Sequence, residues 1–328
     1  MREKISIVCI IMLVLLFVGG SVFAIEKLPD GYPNKPITLI CAHGFGGGGD
    51  TFNRNIAVPA GKIAKVPINC INVTGGATTS AIAYLLNQPA DGYTLIGFHV
   101  DGYALDEAYG RYKEPFLENF EPVIGIVSEE CQIYVRKESP FKTFKELVDY
   151  AKSNPGELKI AGSDAGGTRE LGVSQVFNAV GAEVTYVPFV GGASLIIPEL
   201  LTGRIDASYD MRGPMISLLE SGEVRMLVTS GDERAEDFPD VPTFEELGYP
   251  NLHLALSRGI LARRNTPPER IKYLHDVFKE AMTTPEFQAV AKALNYKLNY
   301  ISGEELSKDF RETLEGFGPL LKELGYIE

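Results

Sequence analysis

Three short stretches of this chain concentrate glycine beside hydroxyl, acidic and basic residues. The first reads Cys41-Ala42-His43-Gly44-Phe45-Gly46-Gly47-Gly48-Gly49-Asp50. The second reads Ala161-Gly162-Ser163-Asp164-Ala165-Gly166-Gly167-Thr168-Arg169-Glu170, and the third Val190-Gly191-Gly192-Ala193-Ser194. Each follows a β-rich run and precedes a helical one. Each is therefore expected to place free backbone N–H groups and the positive end of a helix dipole at the carboxyl end of a sheet. Glycine lets a ligand approach the backbone with no Cβ in the way. Such loops suit a small anion and need no cationic side chain. A tight strand-to-helix turn uses glycine for structural reasons alone, so the signal lies in the three loops together.

Two enzyme chemistries share part of this pattern. Residues 44–49 satisfy G-x-G-x-x-G, the dinucleotide fingerprint, which needs an acid about 20 residues later for the ribose hydroxyl. From Thr51 through Ala90 there is neither Asp nor Glu, and the dinucleotide reading fails. The His43-Gly44 loop also has the look of an α/β-hydrolase oxyanion loop. That fold presents its nucleophile in G-x-S-x-G, whereas Ser163, the nearest match, has Ala161 and Ala165 at the glycine positions. A secreted α/β hydrolase using the His43-Gly44 loop stays as the alternative, without an identifiable nucleophile. His43, His99, His253 and His275 are far apart in sequence and lack cysteine neighbours, so no metal site is expected.

The elements that must position these loops alternate. Strand-like runs are expected at 37–41, 68–73, 93–98, 123–127, 132–135, 158–161, 184–189, 205–209, 225–228 and 254–261. Between them lie helical stretches. Thr143-Phe144-Lys145-Glu146 has the form of a capping box, Phe144, Leu147, Val148 and Ala151 share one face, and Asn154-Pro155-Gly156 ends the helix. Alternation over this length predicts an α/β architecture with mainly parallel sheets.

With 328 residues, 45% hydrophobic, two globular domains are the first expectation. The formal charge is −12, from 31 basic and 43 acidic side chains, and no basic cluster offsets it; nucleic acid is set aside as a partner. Residues 1–24 read as a secretory signal peptide: a basic start, an apolar run from Ile5 to Val18, and Val22-Phe23-Ala24 as a cleavage site. That predicts a periplasmic or otherwise extracytoplasmic protein with three cysteines left, Cys41, Cys70 and Cys131. They allow at most one internal disulfide, and Cys41–Cys70 is the pair to check.

Read with their surroundings, the loops resemble the extracytoplasmic substrate-binding proteins of tripartite tricarboxylate transporters, the Bug (TctC-like) family. The similarity runs through Tyr32-Pro33-Asn34-Lys35-Pro36-Ile37 before the first loop, and Asp91-Gly92-Tyr93-Thr94-Leu95 with Ala90 in place of a proline. It continues through Asn154-Pro155-Gly156-Glu157-Leu158 before the second loop and Val187-Pro188-Phe189-Val190-Gly191-Gly192-Ala193. Gly203-Arg204-Ile205-Asp206, Phe238-Pro239-Asp240-Val241-Pro242-Thr243 and Thr266-Pro267-Pro268 complete it. It covers essentially the whole chain beyond the signal peptide.

The resemblance implies an α/β two-lobed periplasmic-binding-protein fold of type II, a Venus flytrap with the ligand in the cleft between lobes. It implies capture of a small organic acid (di- or tricarboxylate or a related acid), delivery to membrane subunits of the transporter, no cofactor and no catalysis. A monomer is expected, and a sensing role fits the same fold. The expected division is 30–125 plus 229–328 for lobe one and 126–228 for lobe two, with crossovers near Ile126 and Val228. Carried over by position, the ligand site comprises His43, Gly44, Phe45, Gly46, Gly47, Gly48, Gly49 and Asp50. To these it adds Ser163, Asp164, Gly166, Gly167, Thr168 and Arg169, then Gly191, Gly192, Ala193 and Asp210. Several of these depart from the family pattern, which usually has Pro-Phe at Ala42-His43 and Asn-Arg at Val73-Thr74. His43 either donates to ligand or packs as a ring in the place of phenylalanine, with packing put first. Arg169 either reaches a second carboxylate or lies on the outer face of its helix. Asp50 and Asp164 are expected to cap helices.

Overall fold

The computed structural model describes residues 25–163, 165–189, 192–250, 252 and 255–328. The expected signal peptide, Asp164 and Gly191 lie outside the described residues. The chain runs β1 (Ile37–Cys41), α1 (Gly48–Ala64), β2 (Ile68–Asn72), α2 (Thr79–Leu86), β3 (Thr94–His99), α3 (Val100–Ala108), α4 (Phe116–Asn119) and β4 (Phe120–Arg136). It continues with α5 (Phe144–Ser153), β5 (Lys159–Gly162), α6 (Thr168–Val180), β6 (Thr185–Pro188), α7 (Ala193–Thr202) and β7 (Ala207–Met211). Then come a 3₁₀ turn (Gly213–Met215), α8 (Ile216–Glu220), β8 (Val224–Thr229) and β9 (Ala255–Arg263). The chain closes with α9 (Pro268–Thr283), α10 (Pro285–Leu294), β10 (Lys297–Ser302) and α11 (Gly303–Glu323).

The architecture is α/β and two-lobed, and β4 joins the lobes. Along its first part, up to Glu130, β4 pairs antiparallel with β9 and β10; from Cys131 onward it pairs antiparallel with β7 and β8. β9 also pairs antiparallel with β3, and the remaining strand pairs are parallel, β2–β1–β3 on one side and β7–β5–β6 on the other. The sheets are thus parallel in the βα units and antiparallel around β4, a more mixed arrangement than the alternation alone predicted. The sequence reads as two strands, 123–127 and 132–135, because Ser128-Glu129-Glu130 interrupts the apolar run. The strand is continuous because those acids are paired in place: Glu129 with Arg258 and Glu130 with Lys297 at 3.6 Å.

Each sheet is covered on both faces, as parallel βα units require. In β1 the period of two sends Ile37 and Leu39 into one apolar cluster with Phe52 and Ile56 of α1, and Ile40 into another with Val100 and Phe310. In the second part of β4, Ile133 and Val135 join Phe144 and Leu147 while Tyr134 faces Ile196 and Leu200. Phe244 and Leu252, beyond β8, are buried in that same second-lobe core. At α5, Thr143 Oγ1 accepts from the Glu146 amide at 3.2 Å, but Glu146 reaches the Lys142 amide, one residue before the cap.

One helix crosses between the lobes. Leu171 of α6 is fully buried in the first-lobe cluster with Val100, Phe317 and Leu320, and Asn178 donates to Glu323 at 2.8 Å. Burying a leucine stabilises such a contact by about 1.5–3 kcal/mol, so the cleft is closed along α3, α6 and α11. Cys41, Cys70 and Cys131 are free thiols. Cys41 pairs with Asn72 across the β1–β2 ladder, which puts Cys70 on the diagonal, about 7–8 Å away and too far to bridge. Among the described residues no helix is long and apolar enough to cross a membrane.

Candidate ligand-binding site

The first two glycine loops are closed by the same local device. Gly46 lies in the left-handed region (φ 77°), Gly47 is the N-cap of α1, and Asp50, at the third helical position, accepts from the Gly46 amide at 3.0 Å. Gly166 likewise has φ 66°, Gly167 caps α6, and Glu170 accepts from the Gly166 amide at 2.6 Å. In both loops the amide of the positive-φ glycine is spent internally. The amides left to a ligand are those of the first helical turn. Asp50 is therefore a loop clamp rather than the N-cap expected from sequence.

Gly44 to Gly48 of the first loop are exposed, while the clamp beneath them is packed with charge. Asp50 is buried; its carboxylate also accepts from Asn72 at 2.8 Å and pairs with Arg54 at 3.0 Å. Burial pushes its carboxyl up, but the bonds from Arg54, Gly46 and Asn72 outweigh this and hold it below the usual carboxylate range. Arg258 of β9, buried and paired with Glu129, lies along the start of α1, where a Cβ on Gly48 would come within 3.1 Å of its Nη2. Glycine at 48 thus makes room for an arginine of the same lobe. A cation beside a helix N-terminus is unfavourable by itself, and Glu129 offsets it. Phe45 is 82% exposed and stacks over Arg54, away from any enclosed space.

The parallel register that sets Cys41 beside Gly97 carries on past the strand ends and brings His43 against His99. Their rings stack with centroids 5.2 Å apart, and Nε2 faces Nε2 at 3.0 Å. One proton must lie between these atoms. Asp101 Oδ1 is 2.8 Å from His99 Nδ1, and its carboxyl is held low: burial raises it, while His99, then Arg169 and Arg258, lower it more. An ionised Asp101 calls for Nδ1–H on His99, and in the singly protonated ring that leaves His99 Nε2 to accept from His43 Nε2–H. The Gly102 amide, 3.2 Å from the same Nδ1, is the weaker competitor. Burial, with His99 and Arg258 adding to it, lowers the His43 pKa to about 4. His43 is a half-buried ring whose Nε2 faces His99 Nε2.

The second loop opens onto a partly open cavity of about 250 Å³ between the lobes. Thr168, Arg169 and Gly172 of α6 line one wall; Val100 and Asp101 of α3 and Thr313 of α11 line the other, with Cys131 and Tyr209 at the junction. Arg169 is buried and faces this cavity, which decides against the outer face of its helix. Its Nε donates to Asp210 at 3.4 Å, and Nη1 and Nη2 make no hydrogen bond among the described residues. Asp210 also accepts from the Met211 amide at 2.8 Å, so it orients the arginine. Tyr109 of the first lobe donates to the Gly166 carbonyl at 2.8 Å, and Tyr326 donates to Glu170 at 2.7 Å.

Of the residues expected from sequence, Thr168 and Arg169 line the cavity and Asp210 holds Arg169. Ser163 gives its carbonyl to the Tyr186 hydroxyl at 2.5 Å, with no hydrogen bond to a histidine among the described residues. Gly192 caps α7 with φ 68°, and neither it nor Ala193 lines the cavity. His99, Asp101 and Arg258 were not anticipated. His99-Val100-Asp101 ends a strand and starts a helix as the glycine loops do, which is the signal that was there to find.

A model of the family described as TctC, tripartite tricarboxylate transporter family receptor, matches residues 54–326. A UPF0065 protein of the gbd 5′ region in Cupriavidus necator is 27% identical over 307 residues, covering 94% of this chain and 93% of that one. A TctC solute-binding protein from Polaromonas, solved without ligand, superposes with TM-score 0.77 at 23% identity, over 89% of this chain and 99% of that one. MatC from Rhodopseudomonas palustris, solved with bound malate, has TM-score 0.71 at 23% identity, over 88% and 100%.

Proposed function

Because the chain belongs to the tripartite tricarboxylate transporter receptor family, a substrate-binding and non-enzymatic family of periplasmic proteins, we propose that it captures a small carboxylate between its lobes. The closed, loaded form is then offered to the membrane subunits of such a transporter. The observation that carries this reading is Arg169: a buried guanidinium facing the cavity, with two terminal nitrogens that make no hydrogen bond among the described residues. A planar fork of that kind matches a carboxylate with two parallel hydrogen bonds. The Thr168 hydroxyl and the amides of the first turn of α6 add donors of the same polarity. MatC from Rhodopseudomonas palustris, which shares the fold, holds bound malate, a ligand of this chemistry.

The lobes divide, on this reading, where β4 changes partners at Glu130 and Cys131, and again between Leu252 and β9. Closure onto ligand uses the α6 contacts with α3 and α11, and the protein acts as a monomer exported by residues 1–24. A thermal-shift screen of the mature chain against mono-, di- and tricarboxylates tests the central point. A carboxylate that binds only the folded state should raise the melting temperature in a concentration-dependent way. If only uncharged solutes do so, the proposal is wrong.

A further inference from the structure

The cavity presents an acid as openly as it presents a base. Arg169 is partly neutralised by Asp210, and Arg258 is paired with Glu129. Among the described residues no lysine or arginine contacts Asp101. Its Oδ1 lies 2.8 Å from His99 Nδ1, and its Oδ2 makes no hydrogen bond among the described residues. The side chain is 17% exposed and lines the cavity from the start of α3, opposite Arg169 on α6. Glu312, also on the cavity rim, lies 3.6 Å from Lys308 and is exposed.

A ligand carrying only carboxylates would satisfy Arg169 and then set its second negative charge against Asp101, and like charges repel where protein partly displaces water. A ligand with one carboxylate and one ammonium satisfies both groups at once. The volume of about 250 Å³ suits a molecule of amino-acid size. We propose that the ligand is a small amino acid in its zwitterionic form, its carboxylate in the fork of Arg169 and its ammonium on Oδ2 of Asp101. This inference rests on the carboxylate-binding role proposed above for the same cavity.

Calorimetric titration of the mature chain at neutral pH with matched pairs tests it: glutamate against glutarate, alanine against propionate. In at least one pair the amino acid should bind about ten- to a hundredfold more tightly than its deaminated twin, the range expected for a hydrogen bond to a charged group. Asp101→Asn should erase that preference by weakening the amino acid and sparing the twin. Equal or tighter binding of the twins overturns the inference, as does a preference that survives Asp101→Asn. The wild-type comparison stands even if the variant fails to fold. Carboxylates that bind with no preference for the amine defeat this inference alone, whereas no binding by any carboxylate defeats the carboxylate-binding role as well.

Discussion

The loops that start α1 and α6 are built alike and put to different uses. In each, a left-handed glycine gives its amide to an acid four residues on, Gly46 to Asp50 and Gly166 to Glu170. What then approaches the helix start differs. At α1 it is Arg258 of the same lobe, brought by β9 to Gly48 and neutralised by Glu129, while the loop itself stays exposed. At α6 it is the other lobe, across a cavity into which Arg169 projects. Local sequence sets the loop geometry; the neighbour delivered by the fold decides whether the helix start meets an arginine of its own lobe or faces a cavity.

The most disruptive way to break this contrast is to remove the arginine at the start of α1. Arg258→Met leaves Glu129 buried without its cation, and chemical denaturation should show a loss of about 3–5 kcal/mol. A neutral result would mean that loop one is not held by this pair.

Acid acts on the same side of the contrast through His43. Its pKa is depressed to about 4 from an ordinary value of 6.5, so the folded state resists protonation that the unfolded chain accepts. That contribution is fully present above pH 6.5 and is lost as pH falls from 6.5 toward 4, by about 3 kcal/mol at most. Equilibrium unfolding across this window should show the loss in the wild type and a flatter profile in His43→Phe. Equal slopes would deny the half-buried histidine its neutral state.

A smaller effect separates the two glycines. Alanine at 46 meets open space and bears only the left-handed backbone cost, about 1 kcal/mol. Alanine at 166 bears that cost and also collides with the Tyr109 hydroxyl and crowds the Tyr326 ring. Gly166→Ala should therefore cost about 1–2 kcal/mol more than Gly46→Ala in urea melts, and should weaken closure of the cleft. Equal costs would show that the lobes do not meet at this loop.

Much of this was legible in the sequence because it is local. Glycine next to a strand end predicts a loop entering a helix, and all three loops occupy such positions; Phe144, Leu147, Val148 and Ala151 do form the buried face of α5. The missed features depend on partners distant in the chain. Glu129 and Glu130 read as a strand break until Arg258 and Lys297 arrive to pair with them. His43 and His99 meet only through the β1–β3 register, and Asp101 gains its orientation from that meeting. The two outcomes weighed for Arg169 could not be separated from helical spacing alone, since a face becomes inner or outer only when the second lobe packs against α3 and α11.

The central claim is that Arg169 is the cationic fork of the ligand site, and one titration addresses it. Using the carboxylate that most stabilises the wild type, calorimetry should show affinity reduced about ten- to a hundredfold in Arg169→Met. Arg169→Lys should fall between, because it keeps the charge and loses the fork. Undiminished binding by a folded Arg169→Met protein would contradict the account.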